Sequence, residues 1–223
     1  QFAKRKWVMQ RCAQARDKVL AGEIRESDPF YDQVTAWAFT TVITTHVLLV
    51  AGLRNPTVRK RYVAVRDLLS DYGRLDFHET LLELFGCRDM APSQVGHHLD
   101  ALAEVFDVAK TVAQTPFFFS SDISDAARPI AIDGSWDLIN QGYHREAVFW
   151  IVATYCRCLK ILAHDASAAV LERYSLGLRE LVADLGIKSV SDLISRTQRV
   201  KDSLPEIWQV AEAIMDANPE IED

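Results

Sequence analysis

The sequence has no sustained apolar–polar alternation, no low-complexity tract and no internal repeat. The first absence argues against a sheet as the organising element, and the last against a solenoid. Its four cysteines, Cys12, Cys87, Cys156 and Cys158, have no disulfide-framework spacing. Cys156 and Cys158 would point to different sides of a helix, so they form neither a redox pair nor half a zinc site. Reduced thiols and a cytoplasmic location are the expectation. The opening QFAKRKWVMQRC has no apolar signal core and no initiator Met, which suggests the C-terminal part of a longer protein. No self-sufficient catalytic motif appears, and no pair of histidines at metal-ligand spacing shares a helix face; no metal ligand is assigned.

Charge is missing from one long stretch. The twenty residues Val34 to Leu53 hold no Asp, Glu, Lys or Arg, and His46 is their ionisable side chain. The length fits a membrane span, but five threonines and His46 favour a buried helix of a soluble fold, so no membrane partner is expected. A second apolar stretch, Tyr143 to Ala163, is its expected packing partner. Around these two, periodic apolar stripes and Gly or Pro stops predict further helices. They cover residues 2–22, 56–72, 76–85, 92–114, 135–141, 167–185, 189–204 and 205–217. Asn55 is read as an N-cap before Pro56, and Asp76 to Glu79 as a capping box. Residues 115–135, with two prolines and Phe117-Phe118-Phe119, are expected to form a long ordered loop. The fold expected is all-α, a multi-helix bundle of nine to ten helices around two long apolar helices, in one domain.

Charge is also uneven. Residues 1–66 carry 12 Lys/Arg against 5 Asp/Glu, and residues 67–223 carry 13 against 26. Arg54, Arg59, Lys60, Arg61 and Arg66 crowd one helix start, where cations oppose the helix dipole. Phosphate contact is one use for them and pairing with internal acids the other. Duplex nucleic acid is disfavoured by the pI near 5.5. Ile132-Asp133-Gly134-Ser135 has the look of a phosphate turn, but no Asp-x-Asp pair follows to hold Mg²⁺. Asp133 or Ser135 as a helix cap is the preferred reading. His97-His98 diverge on a helix. Glu146 opens the second apolar helix, where a carboxylate is favoured by the dipole; it is either a cap or a general base beside His144. Arg74 and His78 are too close together for a small ribonuclease-type bundle.

The run THVLLVAGLRNPTVRKRYVAVRDLL resembles the helical C-terminal domain of kanamycin-type nucleotidyltransferases, mainly over residues 34–90. The resemblance implies a substrate-binding helical domain. Its carboxylates (Asp122, Asp133 and catalytic Glu146) would meet substrate together with His46, Tyr62 and His144. Arg59, Lys60 and Arg61 would face a nucleotide. No cofactor is implied within the chain itself; Mg²⁺ and a nucleoside triphosphate would come with a catalytic domain supplied elsewhere. The partners expected are a small-molecule substrate or nucleotide and that catalytic domain. The rival reading is a homodimeric interaction or scaffold domain that uses the Phe117–Phe119 loop.

Overall fold

A computed structural model describes residues 2–222, and among these residues there is no β-strand. In chain order the helices are α1 (Arg5–Leu20), α2 (Phe30–Ala51), α3 (Arg61–Asp71), α4 (Leu75–Phe85), α5 (Pro92–Val112), α6 (Gly134–Asn140), α7 (His144–Asp165), α8 (Ala168–Asp184), α9 (Val190–Asp202) and α10 (Leu204–Ala217). The protein is an all-α, multi-helix fold with two long apolar helices, α2 and α7. By length and composition either could cross a membrane, yet 67% and 72% of their apolar windows are buried in the fold. In α2 the threonine hydroxyls are absorbed by its own backbone: Thr41 donates to the Trp37 carbonyl and Thr45 to that of Val42. A polar side chain can therefore be buried without an outside partner.

The described chain packs as two units. Unit 1 holds residues 2–24, 36–85 and 193–222, and unit 2 holds 25–35 and 86–192. In unit 1, α1 buries Val8, Cys12, Ala15 and Val19 at steps of three and four, the stripe an amphipathic helix needs. Cys12 donates to the Val47 carbonyl of α2 at 3.5 Å. Trp37 stacks on Phe85 (4.8 Å between ring centroids), and Tyr62 meets the same ring edge-on. The outer side of α1 is tied to α10 by an Arg5–Asp216 ion pair, and Arg16 lies over Trp208. Backbone bonds from Arg5 N to the Glu222 carbonyl and from Glu222 N to the Ala3 carbonyl close the unit.

In unit 2, α7 packs against α5, α6 and α8 and is buried over most of its circumference. The first turn of α2 enters this unit ahead of the Val34–Leu53 stretch, and an ion pair ties it to α7. Lys160 of α7 donates to both Asp32 carboxylate oxygens at 2.9 and 3.1 Å.

Several boundaries differ from the sequence reading. Asn55 is no N-cap: a 3-10 turn over Val58–Lys60 precedes α3, which starts at Arg61. Basic residues crowd that start and oppose the dipole of a longer helix. Asp76 lies inside the first turn of α4 rather than capping it. Residues 115–135 are not an irregular loop throughout. A 3-10 turn forms at Ser120–Asp122, and a π-helical turn over Pro129–Asp133 runs directly into α6. Asp133 is therefore helical (φ −65°, ψ −41°) and caps nothing through its side chain. Ser135 donates back to the Ala131 carbonyl at 2.7 Å and is no cap either.

Candidate functional site

The chain leaves α2 through a Schellman turn, in which Leu53 N donates to the Val50 carbonyl and Arg54 N to that of Leu49. Helices α3, α6 and α8 end in the same bond pattern, with Gly73, Gly142 and Gly186 in the left-handed position. At α2 that position is Leu53 (φ +54°), the one non-glycine residue with positive φ among those described. A left-handed L-residue costs roughly 1–2 kcal/mol. Gly52 cannot relieve it by exchanging places with a larger residue, because a Cβ there would sit 2.4 Å from Leu68 Cδ1.

The strained turn forms one wall of a cavity of about 230 Å³ in unit 1, lined by Phe2, Arg11, His46, Val50, Leu53, Arg54 and Asn55. None of these residues is acidic. Arg11 donates to the Phe2 carbonyl at 2.9 Å and stacks over the Phe2 ring. Arg54 pairs with Asp71. His46 Nδ1 is buried with no hydrogen-bond partner, and so is Arg61 Nε. Burial holds the His46 imidazole below its ordinary value of 6.5, and the positive charges of Arg61 and Lys18 push it the same way. Burial likewise lowers the Arg61 guanidinium. The cavity thus joins an apolar floor to two arginines and to a histidine whose buried Nδ1 lacks a partner.

The candidate residues fall into two groups. His46, Arg59, Lys60, Arg61 and Tyr62 belong to unit 1, and Asp122, Asp133, His144 and Glu146 to unit 2. In unit 1 the fold brings Arg61 within electrostatic reach of His46. Lys60 points to solvent in the 3-10 turn, and Tyr62 is buried against Phe85. In unit 2, Asp122 accepts from Arg157 at 2.8 Å, and the Arg157 guanidinium also lies over Phe119 and Trp150. Asp133 is exposed, 3.9 Å from Arg128. His144 Nε2 meets the Met90 carbonyl at 3.1 Å, and Glu146 is buried in the first turn of α7. Among the described residues, no three His, Cys, Asp or Glu side chains group as metal donors.

Arg11 and Leu53 were not legible as site residues. Arg11 sits on the polar face of an amphipathic helix, where a solvated cation is the ordinary reading. Leu53 looked like the last apolar residue of α2. The available signal was indirect: a lone histidine near the end of an apolar helix, followed within eight residues by Arg54. No family model, curated protein or solved structure matches this chain.

Proposed function

We propose that the chain is a helical ligand-binding domain that takes a phosphate-bearing small molecule at the basic end of α2. In the resemblance to nucleotidyltransferase helical domains, it is the basic residues that would face a nucleotide. The observation carrying this reading is the cavity itself. Among the described residues its charged linings are Arg11 and Arg54; His46 in its wall has a partnerless Nδ1, and Arg61, whose Nε is also partnerless, acts on His46 electrostatically. A buried polar group without a partner costs about 1–3 kcal/mol, and an anion would accept from the Arg61 Nε–H and from His46 once it is protonated. Arg59 and Lys60, on the 3-10 turn just before Arg61, would extend the contact to a nucleotide's outer phosphates. Mg²⁺ and the transfer chemistry would come from a separate catalytic domain.

The test is a thermal-shift series with nucleoside mono-, di- and triphosphates, with and without Mg²⁺. Binding to the folded state raises the melting temperature. A rise that Arg61→Gln removes is the expected result, and no rise with any phosphate compound sinks the reading.

A second reading has an observation of its own. Phe118 is 94% exposed between Phe117, which meets the His164 ring edge-on, and Phe119 and Asp122, which Arg157 anchors. A rigidly held, exposed aromatic ring suits a protein contact. A homodimer that dissociates on Phe118→Asp, measured by light scattering, would support it; an unchanged monomer mass in both forms would refute it.

A further inference from the structure

Resting on the phosphate-binding reading above, we infer that the α2 cavity selects the phosphomonoester end of a small organic phosphate and that His46 takes up a proton as the phosphate arrives.

Size sets the first limit. Pockets for drug-sized ligands run about 300–1,000 Å³, and this cavity is about 230 Å³. A nucleoside triphosphate cannot be enclosed; one phosphate and a short apolar or ring-shaped body can. Phe2, Val50 and Leu53 provide the wall for that body. Retaining Leu53 in a left-handed position is explained if its side chain is needed there, since glycine would fit the turn without strain.

Charge sets the second. The charged groups that face His46 are Arg61 at the start of α3 and Lys18 of α1. Arg11 of α1 and Arg54 of the exit turn share its cavity, and Arg54 is already half-neutralised by Asp71. In this setting the free imidazole is neutral near pH 7, its protonated form opposed by burial and by Arg61 and Lys18. A phosphomonoester carries about −1.5 to −2 charges at pH 7, more than a carboxylate. Its arrival reverses the sign of the local field and favours imidazolium, with Nδ1–H donating to a phosphate oxygen. The proton comes from the buffer, and no bond in the ligand is made or broken.

The experiment is calorimetric titration of the intact chain with phenyl phosphate, inorganic phosphate, benzoate and ATP at pH 7. Each titration is run in two buffers of different ionisation enthalpy. Phenyl phosphate is expected to bind most tightly of the four, with uptake approaching about one proton. Arg11→Gln is expected to weaken it about tenfold, and His46→Gln to abolish the uptake. If His46→Gln does not fold, the wild-type imidazole resonances decide: the His46 pKa must rise when phenyl phosphate is added. Binding of phenyl phosphate without proton uptake overturns the inference, as does ATP, benzoate or inorganic phosphate binding as tightly. Binding without uptake, or equal binding of ATP or inorganic phosphate, leaves the phosphate-binding reading standing, whereas equal binding of benzoate counts against both. If no phosphate compound binds, both fall together.

Discussion

Leu53 carries a backbone strain that three other helix ends in this chain avoid with glycine. Leu53→Gly should therefore release about 1 kcal/mol of strain and lose apolar contact of similar size. The denaturation midpoint should move little while affinity for phenyl phosphate falls. An unchanged affinity would show that the Leu53 side chain has no part in binding. His46 gives a second residue-scale prediction. Its pKa is lowered by folding from 6.5, so below pH 6.5 the unfolded chain binds the proton more readily than the folded one. Stability should be fullest above pH 6.5 and fall as the pH drops from there through the folded pKa. His46→Gln should flatten that part of the profile, as read from urea midpoints between pH 7.5 and 5. Sequence reasoning found Gly73, Gly142 and Gly186 as helix ends, because glycine announces a left-handed turn. It carried α2 on to Leu53 for the same reason: a leucine in that position has no signature.

At the scale of the element, residues 115–135 show how an apparent loop is made rigid. Asp165, at the C-terminal end of α7, accepts from Gln114 N, Thr115 N and the Thr115 hydroxyl. Those backbone and hydroxyl donors hold its carboxyl below the usual range. Further along, Asp122 pairs with Arg157, Asp125 with Lys110, and Arg128 with both oxygens of Asp107. Arg157 is the most enclosed of these groups, its side chain 13% exposed. Replacing it with Met should cost about 1–2 kcal/mol through the lost pair and ring contacts. It should also speed hydrogen exchange over residues 117–125 before the rest of unit 2. Uniform exchange across the unit would refute the anchoring role. Two prolines and a Ser/Asp cluster did mark this segment as non-helical in the sequence. The 3-10 and π turns escaped notice because so short a turn leaves no periodic stripe to read.

Across the whole chain, the charge imbalance takes a different form once the units are known. Within the bounds above, unit 1 contains 15 Lys/Arg and 13 Asp/Glu, and unit 2 contains 10 and 17. Basic residues concentrated in 1–66 are largely offset within unit 1 by acids from α3, α4 and α10, while the excess acidity belongs to unit 2. A phosphate ligand should therefore protect unit 1 selectively. Hydrogen exchange with phenyl phosphate present should slow at the C-terminal half of α2 and along α1, leaving α5 and α8 unchanged; equal slowing in α5 and α8 would count against a site in unit 1. The all-α class and both apolar helices were legible from periodicity and charge depletion. The division into units was not, because one boundary runs through α2 and another through α9, with no Gly- or Pro-rich linker at either.

The backbone bonds joining Ala3 and Arg5 to Glu222 have a consequence for synthesis on the ribosome. Unit 1 is made of three separate segments, and the one that clasps α1 is translated last. The whole of unit 2 emerges before α10 can reach α1. Nascent chains stalled so that residues up to about 192 have left the ribosome should thus already protect α5 and α7 from protease while α1 remains cleavable. The cavity lined by Arg11 and His46, walled on one side by α1, would mature only once α10 is in place.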